Sequence, residues 1–332
     1  MALLDALRAD EKLAEWLGEP GERKADDVPR VDVRLPSAGD LPDILLDLAV
    51  PYEDVNEIVA LRVTLLADAE ATGLLERCVG ALIRDMGEPG KGPSFPSFPP
   101  ESGPLVRYFY VYVLVAALPY VRAYHRERGI PDDVSRRTLA DLGRAMVLHR
   151  RRYGTGGVLV PGWLALHFHG ELYQLGRLQF QRSRIERRDA EGFAGVGLEL
   201  GVGEPYLSLH IPDYRGPLSP DACDRSVVLA REFFARHYPE EHYASALCHS
   251  WLLDPQLKRR LLPDSNIVRF QERFEAVYVD TEPEDGLPVR FVFGDPDLPV
   301  ETLPRRTGIE RAVVDHLRAG EHWYLGHGWF AF

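Results

Sequence analysis

Glu204–Pro205–Tyr206–Leu207–Ser208–Leu209–His210–Ile211–Pro212 and the residues after it, Asp213–Tyr214–Arg215–Gly216–Pro217–Leu218–Ser219–Pro220–Asp221, form the most informative stretch of this chain. The first part alternates polar and apolar side chains, the pattern of a half-buried strand. The second begins as a tight polar turn. It ends in Ser219, Pro220 and Asp221, a cap, a first-turn proline and an early acid, which together start a helix. That helix continues through Val227, Val228, Ala230, Phe233 and Phe234 to about His237. A strand that enters a helix in this way aims free backbone N–H groups above the sheet edge, where they suit a phosphate or pyrophosphate. Function is therefore sought first at this junction.

The bulk properties narrow the field. A chain of 332 residues, 45% hydrophobic and 27% charged, can bury a large core and is long enough for two domains. Its net charge of −12 argues against general nucleic-acid binding, which needs a basic footprint. Lysine occurs only at Lys12, Lys24, Lys91 and Lys258, the mark of a GC-rich coding bias, so no catalytic lysine is expected. Cys78, Cys223 and Cys248 are too sparse for a disulfide framework or a CxxC zinc pattern, which fits a reducing cytoplasm. Residues 1–8 read as an acidic amphipathic helix and lack the layout of a signal peptide. The most apolar run, Leu105 to Val121, contains Arg107 and Pro119 and reads as a buried helix, not a membrane span.

Outward from the junction, the texture changes near residue 155. Before it, apolar spacings of three and four predict helices over Leu41–Leu48, Val55–Ala69, Thr72–Met86, Leu105–Arg126 and Pro131–Arg152. A Gly/Pro/Ser/Phe loop spans residues 87–104; Phe95 and Phe98 either pin it to the body or mark a lid. After residue 155 strands are expected at Gly162–His169, Leu172–Ile185, Gly195–Gly203, Pro205–Ile211, Tyr243–Leu252, Ala276–Asp280, Val289–Phe293 and Trp323–Phe332. Helices are expected at Pro255–Leu262, Asn266–Phe274 and Thr307–Ala319. The expected fold is α+β, with a helical domain over residues 1–155 and a mixed, mostly antiparallel sheet flanked by helices over residues 156–332. The apolar end from Trp323 to Phe332 either closes that sheet or pairs with a second subunit, so a homodimer is one possible assembly.

Several segments resemble an actinobacterial group of proteins that join an N-acyltransferase N-terminal domain to a C-terminal domain like the GCN5-related N-acetyltransferases (GNAT). They are Arg107–Tyr–Phe–Tyr–Val–Tyr–Val, Ala117–Leu–Pro–Tyr–Val–Arg–Ala–Tyr–His, Tyr173–Gln–Leu–Gly–Arg–Leu–Gln–Phe, Leu209–His–Ile–Pro, Cys248–His–Ser–Trp–Leu–Leu and Ser265–Asn–Ile–Val–Arg–Phe. The resemblance covers most of the chain from about Leu41. It implies a cytoplasmic enzyme whose partners are acetyl-CoA or another acyl-CoA and a small amine, with no membrane or nucleic acid. It implies an acyl-CoA between two splayed strands, its pyrophosphate on the turn at Arg215, Gly216 and Ser219. The amine would attack the thioester directly, and a backbone N–H near Leu209 and Ile211 would hold the oxyanion. The turn carries one glycine where the family's loop carries two small residues, and no tyrosine occurs from Leu252 to Phe274, where many members place a general acid. These departures define the rival reading, a non-catalytic binding or regulatory protein with a weakened CoA site.

Individual residues carry competing readings. His210 shares a strand face with Tyr206 and Ser208; it is either a general base or a histidine bonded to a neighbouring loop. Cys248 and Ser250 point one way and His249 and Trp251 the other, so Cys248 and His249 cannot readily pair. Cys248 and Ser250 are candidates for catalysis or for lining the pantetheine slot, and Trp251 for substrate contact. Tyr173, Arg177 and Gln179 share a strand face that receives an acidic substrate or a phosphate, or is simply solvated. Arg182, Arg184, Arg187 and Arg188 form a basic hairpin tip. Asn266 and Arg269 either close over the acyl group or serve as helix start and salt bridge to Glu272 or Glu275. His167 and His169 are two apart; with a third ligand they would hold zinc in a hydrolase, but no metal-like spacing follows and no metal is expected.

Overall fold

Phe109 to Leu118 are buried at every position, so the helix that contains them is apolar all round and must lie at the centre of its unit. In the computed structural model, which describes residues 33–213 and 215–332, this is α5 (Phe109–Glu127). Around it come α1 (Leu41–Asp47), α2 (Tyr52–Ala67), α3 (Ala69–Ile83), α4 (Pro104–Arg107), α6 (Asp132–Leu139), α7 (Asp141–Tyr153) and α8 (Pro161–Phe168). The expected amphipathic helix at residues 1–8 lies outside the described residues. Asp68 caps α3 by accepting from the amides of Glu70 and Ala71 at 3.0 and 3.1 Å. The predicted helix at 105–126 is broken at Tyr108, whose hydroxyl donates to Asp54 Oδ1 at 2.7 Å. The 87–104 loop is pinned: Phe95 is buried, Phe98 stacks on Tyr110 at 4.9 Å, and the Glu171 carboxylate accepts from the Gly90 and Gly92 amides.

The chain divides into two compact units, one ending at Tyr173 and the other running from Gln174 to Phe332. The change of texture near residue 155 falls between α7 and α8, inside the first unit. Residues 162–169 are not the expected strand. Pro161 opens a helix there and Gly170, at φ +79°, follows its end.

The second unit is built on a six-stranded sheet of order β1-β2-β3-β4-β6-β5. The strands are β1 (Leu172–Leu175), β2 (Leu178–Arg184), β3 (Pro205–His210), β4 (Ser245–Ser250), β5 (Ala276–Pro283) and β6 (Tyr324–Ala331). All described pairings are antiparallel except β3 with β4. Helices α9 (Arg187–Ala194), α10 (Pro220–His237), α11 (Asn266–Gln271), α12 (Gly286–Phe293) and α13 (Gly308–Arg318) surround it. α10 buries Cys223, Ser226, Ala230, Phe233, Phe234 and His237, the spacing of three and four that one helix face requires.

Four expectations fail here. Residues 195–203 are irregular; 289–293 belong to α12, closed by Gly294 at φ +100°; the single strand expected over 172–185 is two, β1 and β2, turned at Gly176; and the arginine cluster is no hairpin tip. Arg187 and Arg188 start α9, while Arg182 is buried against Glu241 and the Tyr238 ring. β6 lies between β4 and β5 and so closes its own sheet.

Candidate functional site

β3 and β4 run side by side in parallel but pair only at Leu207↔Ala246 and Ser208↔Leu247. Beyond that point each keeps its outer partner and loses its inner one. Leu209 and His210 continue against Phe180 and Gln179 of β2, and Cys248, His249 and Ser250 continue against Gly328, His327 and Gly326 of β6. The result is a slot in the middle of the sheet, bounded by Leu209 and His210 on one side and residues 248–250 on the other.

The turn at the end of β3 is held from outside. Arg177 donates through Nε to the Gly216 carbonyl at 2.9 Å and through Nη1 to the Pro212 carbonyl at 3.0 Å. Its own amide donates to Ser226 Oγ of α10 at 2.7 Å. Gly216 sits at φ +81°, which a residue with a Cβ adopts only with strain, and the space around it is open. Ser219 occupies the N-cap of α10 without a side-chain capping bond. The first turn of this 18-residue helix therefore keeps amides that no side-chain cap occupies, next to a turn in which Arg177 engages the Pro212 and Gly216 carbonyls.

On the α10 face of the sheet lies a cavity of about 290 Å³. Leu178, Leu209, Val227, Phe270, Phe274 and Phe330 make its apolar wall, and Asp224, Arg231 and Arg273 stand around it. Arg273 donates to Asp224 Oδ1 at 2.6 Å and to the Pro220 carbonyl at 2.7 Å, which anchors it to the start of α10. Its hydrogen bond holds the Asp224 carboxyl below the usual carboxylate range. Gly328 is required opposite Phe274: a Cβ there would come within 2.5 Å of the ring.

His210 points to the other face, where Nε2 meets Gln181 Oε1 at 3.0 Å.

The remaining candidates divide. Cys248 borders the slot but is fully buried, and burial pushes its thiol up, so the thiolate a nucleophile requires is disfavoured. Ser250 Oγ accepts from the Leu252 amide at 3.2 Å and caps the short turn Trp251–Leu253. Trp251 packs in a cluster with Leu257, Val313 and Trp323. Ile211 follows the last residue of β3 and Arg215 lies in the turn itself. Gln179 is buried on β2, whereas Tyr173 ends the first unit with its hydroxyl on the Gly170 carbonyl at 3.2 Å.

Asn266 opens α11 behind the Ser265 cap, and Arg269 makes an exposed pair with Glu272 at 3.0 Å. The cavity is instead reached by Phe270, Arg273 and Phe274, which sequence reasoning passed over; the Phe270/Phe274 spacing of four was the available signal. His167 and His169 do not converge. His167 is bonded to the Trp163 carbonyl, and His169 to the Arg84 carbonyl and Glu171.

Comparison with known proteins agrees with this geometry. Residues 39–170 match the model of the N-acyltransferase N-terminal domain, and residues 172–330 that of the GNAT-like C-terminal domain. No curated protein sequence matches the chain. Among solved structures, an acyltransferase in complex with decanoyl-CoA and teicoplanin is 39% identical, with a TM-score of 0.82 over 99% of this chain and 98% of the other. An acyltransferase mutant in complex with octanoyl-CoA is 38% identical, with a TM-score of 0.83 and the same coverage. The chain belongs to the family of acyltransferases that join an N-acyltransferase N-terminal domain to a GNAT-like C-terminal domain.

Proposed function

We propose that this protein transfers the acyl group of a medium-chain acyl-CoA to an amine by direct attack on the thioester. The observation that carries this reading is the slot between β3 and β4, whose edge residue Leu209 also lines an apolar cavity of about 290 Å³. The pantetheine arm lies along the slot, past Cys248 and Ser250, and the diphosphate rests on the turn of Arg215, Gly216 and Ser219. The acyl chain enters the wall of Leu209, Phe270 and Phe274. Relatives that bind octanoyl- and decanoyl-CoA support an acyl group of that length.

The His210 imidazole takes a proton from the acceptor ammonium. The amine nitrogen then bonds to the thioester carbonyl carbon, and a backbone N–H in the 209–211 stretch receives the oxyanion. Collapse breaks the C–S bond; the CoA thiolate leaves and takes the second proton of the former amine nitrogen, and the proton on His210 passes to solvent. The acceptor class is an amino-sugar-like amine or a larger molecule of the teicoplanin kind, which a relative binds.

The test is release of free CoA thiol from decanoyl-CoA in the presence of teicoplanin, with the product identified by mass. Thermal denaturation with decanoyl-CoA separates the two readings. Ligand at 100 times its Kd stabilises by about 2.7 kcal/mol, so an unchanged Tm would leave a non-catalytic protein, the reading that the single glycine of the turn favours.

A further inference from the structure

On the α9 face of the sheet, in-register pairing places His249 of β4 directly beside His327 of β6. Their Nδ1 atoms are 2.7 Å apart. His327 Nε2 donates to Asp280 Oδ1 of β5 at 3.0 Å, which leaves the His327 lone pair on Nδ1. Asp280 is itself held by Arg188 at 2.6 Å. Asp189, in the first turn of α9, is the third member: one ligating atom from each of Asp189, His249 and His327 lies within 4.8 Å of the others. Asp189 is 9% exposed, and its negative charge acts on both His249 and His327.

α9 reaches this position because Gly192, one turn later, has no Cβ; one there would come within 2.3 Å of the Tyr278 ring. Tyr278 in turn stacks on His327 at 4.4 Å.

We propose that Asp189, His249 and His327 form a binding site for a divalent transition metal, zinc being the best fit to two imidazoles and a carboxylate. Tetrahedral zinc with bonds of roughly 2.0–2.1 Å sets its ligand atoms about 3.3 Å apart. The imidazole pair needs to open slightly and Asp189 to close, both within side-chain reach. Asp280 supplies the outer partner that orients a ligating histidine and fixes its tautomer. For the metal to enter, the Nδ1 proton of His249 moves to Nε2, with no net proton change. Burial favours the neutral form of both rings, the form that coordinates metal. Two carboxylates against the single Arg188 guanidinium leave the site net negative. The inference does not depend on acyl transfer.

The test uses the full-length protein, stripped with chelator and titrated with Zn²⁺ by calorimetry, with Co²⁺ as a spectroscopic probe. One equivalent is expected to bind, and Co²⁺ is expected to show the intense visible bands of a four-coordinate site. Asp189→Asn and His327→Gln, near-isosteric changes checked for folding by circular dichroism, are expected to weaken binding at least tenfold and abolish those bands. His322→Ala, an exposed histidine elsewhere, is expected to change neither. No stoichiometric binding by the parent, or binding and bands that survive both cluster variants, would overturn the proposal.

Discussion

Leu209 and His210 are neighbours on β3, yet they serve opposite sides of the sheet. Leu209 looks onto a cavity walled by Val227 of α10, Phe270 of α11, Phe274 just beyond α11 and Phe330 of β6. His210 looks onto a face that carries Gln181, Ser208, His249 and His327 beneath α9. Strand alternation alone produces this division. An ordinary sheet would seal one side from the other. Here the β3–β4 ladder ends after two pairs, so in the proposed reaction a thioester in the slot would have an apolar side for its acyl chain and an imidazole side for its acceptor.

Changes confined to one face should therefore separate chemistry from binding. The largest effect is expected on the imidazole side: His210→Ala should lower kcat by roughly 10²–10⁴-fold, the usual share of a general base, while decanoyl-CoA affinity is kept. Steady-state rates beside calorimetric binding check this, and an unchanged kcat would remove His210 from the reaction. On the apolar side, Phe270→Ala removes a side chain that is 1% exposed and should destabilise the fold by about 3–5 kcal/mol, read from urea unfolding.

A finer cut is Val228→Trp, which adds bulk at the cavity from an exposed position. Decanoyl-CoA affinity should drop about tenfold, or roughly 1.4 kcal/mol, while CoA itself binds as before; equal loss for both ligands would move the acyl chain elsewhere. The smallest effect concerns acid. Burial alone would raise the Glu241 carboxyl, but hydrogen bonds from Arg182, at 2.8 Å through Nε, and from Tyr243 hold it below the usual range. A depressed carboxylate stabilises the fold above its ordinary value, near roughly 4.3, and that contribution is lost as pH falls through the lower folded value. Glu241→Gln should flatten the fall of Tm below about pH 4 without touching acyl-CoA binding.

Local signals were the legible ones. β3, the turn and α10 could be read because alternation, Gly216, Ser219 and Pro220 are all contiguous. Residues 161–168 and 286–293 misled because Trp, Leu, Val and Phe in short runs suit either a strand or a buried helix. Pro161 at a helix start, and Gly170 and Gly294 after helix ends, carried the deciding information. On α11 the polar residues Asn266 and Arg269 drew attention, although the site is met by Phe270 and Phe274 one face away. His249 and His327 lie 78 positions apart and are joined only by the register of β4 on β6, which no local pattern announces.

Arg177 has a consequence for speed as well as strength. It grips the Pro212 and Gly216 carbonyls while its amide is fastened to Ser226, so two carbonyls of the turn proposed for the diphosphate are tied to α10 without any ligand. On that proposal, the part of the loop freedom that this clamp removes is lost at folding and is not lost again with every turnover. Loosening that clamp should slow productive capture of the donor even where every group that touches it is intact.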